Sequence, residues 1–227
     1  MPKRQSIQGY QNMKSIENKL VVFDFDSTLM EGETIDILAK AHNVHKQVEQ
    51  ITHRAMNGEL DFYESLKNRV ALLQGLELQK ALNIAQSLPL MPGAKQCLQA
   101  FKNANYKAVC FSGGFHIATD YFAKILRLDG SFANILHHKN GILTGEVGGE
   151  MMFSDSKGKM LQTLQNLLNI TPSNTIVVGD GANDLSMFAY ADTRVAFCAK
   201  EVLKKEANII IETKDLAEIP KKLNLPL

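Results

Sequence analysis

Residues 20–25 read Leu-Val-Val-Phe-Asp-Phe, an apolar run that ends in two carboxylates, Asp24 and Asp26, two positions apart. In extended backbone such residues project to the same side, so the pair faces one place if the strand continues through it. Like charges crowded together repel, and taking them out of water is costly unless a cation or a shared proton compensates. The run therefore predicts a functional site at the carboxyl end of a buried strand. The plainer alternative is a polar strand end, with Asp26 and Ser27 capping the next turn.

Two further apolar runs, 106–112 and 175–179, break into small or acidic residues and lead into helical patterns, and 195–198 and 207–211 are candidate additional strands. Strands alternating with helices predict an α/β fold, a Rossmann-like parallel sheet with helices on both faces, where ligands gather beyond the carboxyl ends of strands. Three polar groups fall on that edge: Asp24 and Asp26; Ser112, Gly113 and Gly114; and Asp180, Asn183 and Asp184. Residues 31–89 are rich in helix formers, contain no clear strand and are too long for an unstructured connection. They predict an inserted helical cap, closed by Pro89 and by Pro92-Gly93, which opens the next core helix. The core is then 19–30 plus 90–227, with a small hairpin insert near 136–153 turning at Asn140-Gly141.

Composition excludes several classes. In 227 residues, 25 lysines and arginines nearly balance 24 aspartates and glutamates, so no overall field favours nucleic acid or a membrane surface. No apolar stretch reaches the roughly 20 residues that cross a bilayer. Cys97, Cys110 and Cys198 are far apart and odd in number, which argues against a disulfide framework and fits small buried side chains in a reducing cytoplasm. Residues 1–18 are polar and read as a flexible extension, with Met13 a candidate start. The six histidines lack metal-ligand spacing and read as structural or surface residues.

The chemistry these residues can do is narrow. One aspartate can act as a nucleophile while the other moves a proton. Four carboxylates along one edge, Asp24, Asp26, Asp180 and Asp184, call for a hard cation with oxygen ligands, and magnesium suits a site that also takes phosphate oxygens. Taken alone, 179–184 is also an ordinary Gly-Asp-Gly turn with Asp184 capping a helix. It does not fit the dinucleotide fingerprint, because Asp184 stands at the third glycine position, and no phosphate-binding P-loop motif occurs. Ser112 with two glycines can cradle an anion or cap a helix. Lys157 and Lys159, placed just before a helix whose apolar face is Leu161, Leu164 and Leu168, are candidate cations, although lysines there are usually solvated. Phe62, Leu66, Arg69 and Leu73 share a helix face. Arg69 on that seam either binds a carboxylate or phosphate, or reaches solvent along its own stem.

Together these residues resemble the haloacid-dehalogenase-type phosphatases, which share Asp-x-Asp-x-Thr after the first strand, a Ser or Thr after the second, a Lys, and Gly-Asp-x-x-x-Asp. Here those are residues 24–28, Ser112, Lys157 and 179–184. The similarity is closer to the branch acting on phosphoserine, through Glu33-Thr34, Asn68-Arg69-Val70 and Ser112-Gly113-Gly114-Phe115, and it spans about residues 20–216. It implies hydrolysis of O-phospho-L-serine to L-serine and phosphate, the last step of serine biosynthesis. Asp24 would be the nucleophile that becomes an aspartyl phosphate, and Asp26 the general acid and base. It implies Mg2+ held by the Asp24 side chain, the Asp26 carbonyl and Asp180, with Asp184 orienting from behind. Ser112, the Gly113 amide, Lys157 and Asn183 would hold phosphoryl oxygens. The family's lysine precedes a glycine, which selects Lys157 over Lys159. Glu33 would meet the substrate ammonium and Arg69 its carboxylate, while Met56 and Phe62 would shield the site. The implied partner is this small molecule alone, with no nucleic acid, membrane or obligate protein partner. Some relatives carry an N-terminal regulatory domain, for which residues 1–18 are too short, so serine feedback through one is not expected. Two alternatives stay open: the same chemistry on another small phosphomonoester, and a phosphate-accepting receiver module. The latter needs neither Asp26 nor a cap-sized insert.

Overall fold

A computed structural model describes residues 18–226. Strand β1 (Lys19–Asp24) is central because both its faces are apolar: Val21 and Phe23 join one core cluster, Leu20 and Val22 the other. Such a strand needs cover on both sides, which parallel crossovers supply. It pairs in parallel with β2 (Tyr106–Phe115) and, beyond the insert and hairpin β3 (Gly130–Lys139) and β4 (Ile142–Gly149), with β5 (Thr175–Gly179). With β6 (Thr193–Phe197) and β7 (Ile209–Ile211), the described residues form one seven-stranded sheet, ordered β4-β3-β2-β1-β5-β6-β7. The β3–β4 pair is antiparallel and the others are parallel.

Between β1 and β2 run α1 (Thr34–Ala41), α2 (His45–Met56), α3 (Phe62–Ala71), α4 (Leu78–Ala85) and α5 (Ala94–Asn103). The first four share their own core, including Leu38, Val48, Leu66, Leu73 and Ala81. Helix α3 starts at a capping box: the Glu64 amide donates to Asp61 at 2.8 Å and the Asp61 amide to Glu64 at 3.3 Å. Leu73 lies past the end of α3, so the predicted stripe through Arg69 is shorter than its spacing implied. The chain leaves the sheet and returns to it side by side: the Glu31 amide donates to Pro89 O at 2.9 Å and the Met91 amide to Leu29 O at 2.9 Å.

The other helices are α6 (His116–Leu126), α7 (Ser156–Leu168), α8 (Leu185–Phe188), α9 (Glu201–Lys204) and α10 (Glu218–Lys222). Aromatic residues fill the α5 and α6 side, where Phe101 meets Phe23 edge-on at 5.7 Å. Leu161, Met187 and Phe188 fill the opposite face.

Several local expectations shift. Lys157 and Gly158 lie inside the first turn of α7, not before it; a Cβ at Gly158 would meet the Ser186 carbonyl oxygen at 2.5 Å, an approach that glycine alone allows. Strand β2 runs on through Ser112–Gly114 with a register shift, so α6 begins at His116 and Ser112 is not its cap. The hairpin extends the core sheet, yet its tip also binds the helical insert: Gly75 N donates to Leu143 O at 3.0 Å and Leu78 N to Gly141 O at 2.8 Å. Cys97 and Cys110 are buried, but Cys198 is exposed because it follows β6 at the sheet's rim. The expectations for the N-terminal extension and Met13 fall on residues 1–17, outside the described residues.

Gly93 caps α5 at φ +75°, and a Cβ there would lie 2.0 Å from Asp215 Oδ1 and 2.5 Å from the Ala217 amide. Gly58 has a similar φ of +78° with open space around it. Denaturant unfolding should show Gly58→Ala losing about 1–2 kcal/mol from backbone strain alone, and Gly93→Ala losing clearly more. Equal losses would mean that the Asp215 turn yields freely.

Candidate active site

The carboxyl ends of β1 and β5 meet at a buried ion cluster. Lys157, reaching up from the first turn of α7, donates to Asp24 Oδ1 and to Asp184 Oδ1, both at 2.6 Å, and all three side chains are at most 5% exposed. Asp24 Oδ1 also accepts the Phe25 amide at 2.7 Å. Asp184 Oδ2 accepts the amides of Asp180 at 3.0 Å and Gly181 at 3.1 Å. Gly179 is required here, since a Cβ would meet the Asp184 carboxylate at 2.3 Å. Asp184 is therefore saturated and spends its side chain on the loop and the lysine instead of capping α8. Burial would lower the Lys157 pKa, but Asp184 and Asp24 outweigh it and hold the ammonium charged. Burial, then Asp184 and Asp180, push Asp24 well up against the pull of Lys157. One cation facing three carboxylates leaves the cluster short of positive charge.

Asp26 does not reach the cavity by continued strand geometry. Strand β1 stops at Asp24, and the chain turns through Asp26 (φ −67°, ψ 135°) and Ser27 (φ 60°). The Asp26 carboxylate is then fixed by the cap entry: Thr34 donates its amide at 2.9 Å and its hydroxyl at 2.6 Å to Oδ1. Ser112 Oγ donates to Oδ2 at 3.3 Å and accepts the Gly114 amide at 2.9 Å. A Cβ at Gly114 would lie 2.4 Å from Asp26 Oδ2, which explains the second glycine. Burial raises the Asp26 pKa, with the Thr34 and Ser112 bonds opposing it.

Above this floor lies a cavity of about 480 Å³ bounded by Asp24, Asp26, Gly113, Asp180 and Asn183 on the sheet side. Glu33, Asp36, Met56, Phe62 and Arg69 close the other side. Glu33 opens to solvent through the cavity, while protein crowds it from behind and Asp26 adds like charge; together these hold its carboxyl up to about 7, although Ser27 donates to it at 2.8 Å. Arg69 is half-buried, and its Nε donates to Ser65 O at 3.2 Å. Burial lowers its pKa, with Glu33, Asp36 and Asp26 countering. The Phe62 ring stands over Gly113, so close that a Cβ there would be 3.1 Å away. Met56, 67% exposed at the end of α2, stands on the rim.

Lys159 is apart from the cluster, exposed and paired with Asp155 at 2.6 Å. None of the six histidines lines the cavity. Sequence reasoning missed Thr34 as the anchor of Asp26, and Asp36, Ser154 and Lys200 as cavity residues. Lys200 had one available signal, its place just past a candidate strand on the sheet's ligand edge.

The donor chemistry fits a hard cation. Carboxylate oxygens of Asp24, Asp180 and Asp184 lie within 4.8 Å of one another. Of these, Asp24 Oδ2 and the Asp180 carboxylate carry no hydrogen bond or ion pair among the described residues, whereas both Asp184 oxygens are engaged. An all-oxygen set with few free carboxylates suits Mg2+.

Burial and the Asp184 charge hold Asp180 up to about 6 from the usual 3.8, and Glu33 rises from 4.5 to about 7. For acids raised on folding, the folded chain binds more protons than the unfolded one between those values. Their contribution to stability therefore falls as pH rises through that window. A divalent cation that replaces the proton at Asp180 should raise Tm more at about pH 8 than at about pH 5, and Asp180→Asn should shrink the difference. An Mg2+-induced shift that is larger at the acidic end would contradict the arrangement.

Comparison with known proteins agrees with the geometry. A family model described as haloacid dehalogenase-like hydrolase matches residues 18–192. A phosphoserine phosphatase of Wolinella succinogenes is 63% identical over 201 residues, covering 88% of this chain and 98% of its own. A phosphoserine phosphatase solved as a phospho-aspartyl intermediate analogue superposes with a TM-score of 0.86 at 43% identity, over 91% of this chain and 99% of its own. A substrate-bound phosphoserine phosphatase complex superposes with a TM-score of 0.86 at 43% identity, over 91% of this chain and 98% of its own. The chain belongs to the haloacid dehalogenase-like hydrolases, within their phosphoserine phosphatase family.

Proposed function

We propose that the cavity hydrolyses O-phospho-L-serine to L-serine and phosphate, as the last step of serine biosynthesis in the cytoplasm. One observation carries the reading: Asp24, tied from beneath to the buried Lys157–Asp184 pair, and a Glu33–Arg69 wall bound a single cavity of about 480 Å³. The floor suits a phosphoryl group, and the wall offers opposite charges to the two ends of an amino acid. Relatives solved with substrate and with a phospho-aspartyl analogue support the same assignment.

In the first step an Asp24 carboxylate oxygen attacks phosphorus, the bond from phosphorus to the serine oxygen breaks, and Asp26 gives that oxygen its proton. In the second, Asp26 takes a proton from water, whose oxygen attacks phosphorus and frees Asp24 with release of phosphate. The raised Asp26 carboxyl suits a group that must first hold a proton. Asp24, the Asp26 carbonyl and Asp180 would hold Mg2+, which supplies positive charge for the phosphoryl oxygens and the nucleophile. Asp184 fixes Lys157 and the 179–184 loop. Ser112, the Gly113 amide, Lys157 and Asn183 complete the phosphate cradle, with the Ser112 hydroxyl turning from Asp26 to the ligand. Residues 31–89 act as a cap on the core of 19–30 and 90–227, with Phe62 and Met56 excluding water when it closes.

Asp24→Asn should lower turnover by at least about 10³-fold while leaving the fold intact; retained activity would remove Asp24 as nucleophile. Arg69→Ala should cost on the order of 10²-fold in kcat/KM with phosphoserine and far less with p-nitrophenyl phosphate, which has no carboxylate to bind. Equal losses would take Arg69 out of substrate recognition.

A further inference from the structure

The cavity has a charge problem that the residues assigned so far do not solve. Five acids and two bases, Arg69 and Lys200, line it. Lys157 lies beneath, with its ammonium held by two carboxylates. Arg69 sits on the cap side with Nε committed to Ser65. Until a cation occupies Asp24 and Asp180, a phosphate dianion therefore enters a vestibule with more acids than bases, which slows association and weakens the encounter.

Lys200 differs from Arg69, the other cation there. It is the one cavity-lining cation that makes no side-chain hydrogen bond or ion pair among the described residues. It is exposed, and its long stem can follow a moving ligand. Its backbone is nonetheless fixed to the phosphate edge: the Lys200 amide donates to Asp180 O at 2.8 Å, in extended conformation (φ −67°, ψ 151°) just before α9. The side chain thus springs from the strand end next to the one carrying Asp180, beside Gly181, Ala182 and Asn183 on the cavity wall.

We propose that Lys200 is a phosphate-binding residue at the cavity mouth, which captures the incoming phosphomonoester dianion and holds the phosphate product as it leaves. The proposal rests on the phosphatase reading of the cavity but not on the identity of the phosphorylated compound. The probes are therefore p-nitrophenyl phosphate and inorganic phosphate. With Mg2+ present, Lys200→Gln should raise KM for p-nitrophenyl phosphate and the inhibition constant of phosphate by about two- to fivefold, the size expected for one solvent-exposed charge contact. The loss should sit in KM more than in kcat. It should also make the slope of kcat/KM against ionic strength more positive, because one attractive charge is lost, and Lys200→Arg should restore most of both. Calorimetric titration with phosphate should show the same weakening without turnover. Unchanged phosphate affinity and salt dependence would overturn the proposal. So would a change confined to the Mg2+ concentration needed for half-activity, which would mark Lys200 as acting only through Asp180. Wild-type turnover of p-nitrophenyl phosphate but not of phosphoserine would instead count against the substrate assignment and leave the Lys200 test standing.

Discussion

One buried ammonium orders the whole carboxyl edge of the sheet. Lys157 ties the end of β1 to the loop after β5 through two bonds of 2.6 Å, across 133 and 27 residues of sequence. Removing one member of a buried ionic set typically costs roughly 3–5 kcal/mol, because the partners are left desolvated and unpaired. The cluster thus constrains the strand ends, the glycine at 179 and the start of α7 together. It also remains deficient in positive charge, so the stability lost in assembling it becomes affinity for whatever cation and phosphoryl group enter.

The same economy shapes the helical insert. Thr34, the first residue of α1, spends two hydrogen bonds on Asp26. Asp26, the proposed proton-moving group, is thereby held by the element that departs from the core. Entry and exit chains run side by side at Glu31–Pro89 and Leu29–Met91. On the far side, Tyr63 of α3 stacks on Phe153 at 5.3 Å and 17°, joining the insert to the segment that leads into Lys157. Contacts on two sides of the insert therefore converge on residues next to the ion cluster, so the position of the insert and the geometry at Asp26 are not independent variables.

The cavity wall divides its labour by polarity. Below, among the described residues, hydrogen bonds and ion pairs engage both oxygens of Asp184 and leave Asp24 Oδ2 and Asp180 uncommitted at the ion cluster. Above, Glu33 and Arg69 face a space large enough for a small zwitterion. Where glycine appears along this wall, a close approach explains it: Gly114 against Asp26, Gly113 beneath Phe62, and Gly181 against Asn183.

The sequence alone determined the α/β alternation, the helical character of residues 31–89 and the acidic edge. These follow from periodicity, segment length and a carboxylate pair at the end of an apolar run, all of which are local signals. The resemblance carried by residues 24–28 and 179–184 named a chemistry that spacing by itself left open. What stayed hidden was long-range. The ordinary expectation for Lys157 was a solvated side chain, and only the crossing of α7 beneath β1 and β5 buries it between Asp24 and Asp184. Ser112 read equally as an anion cradle or a helix cap until the continuation of β2 turned its hydroxyl to Asp26, and Thr34 and Lys200 gained their places from the return of distant chain. Local pattern decides which elements form and which residues end them, because backbone geometry is periodic. Which charges meet is decided by tertiary packing, because hydrogen bonds and ion pairs across a hundred residues leave no period in the chain.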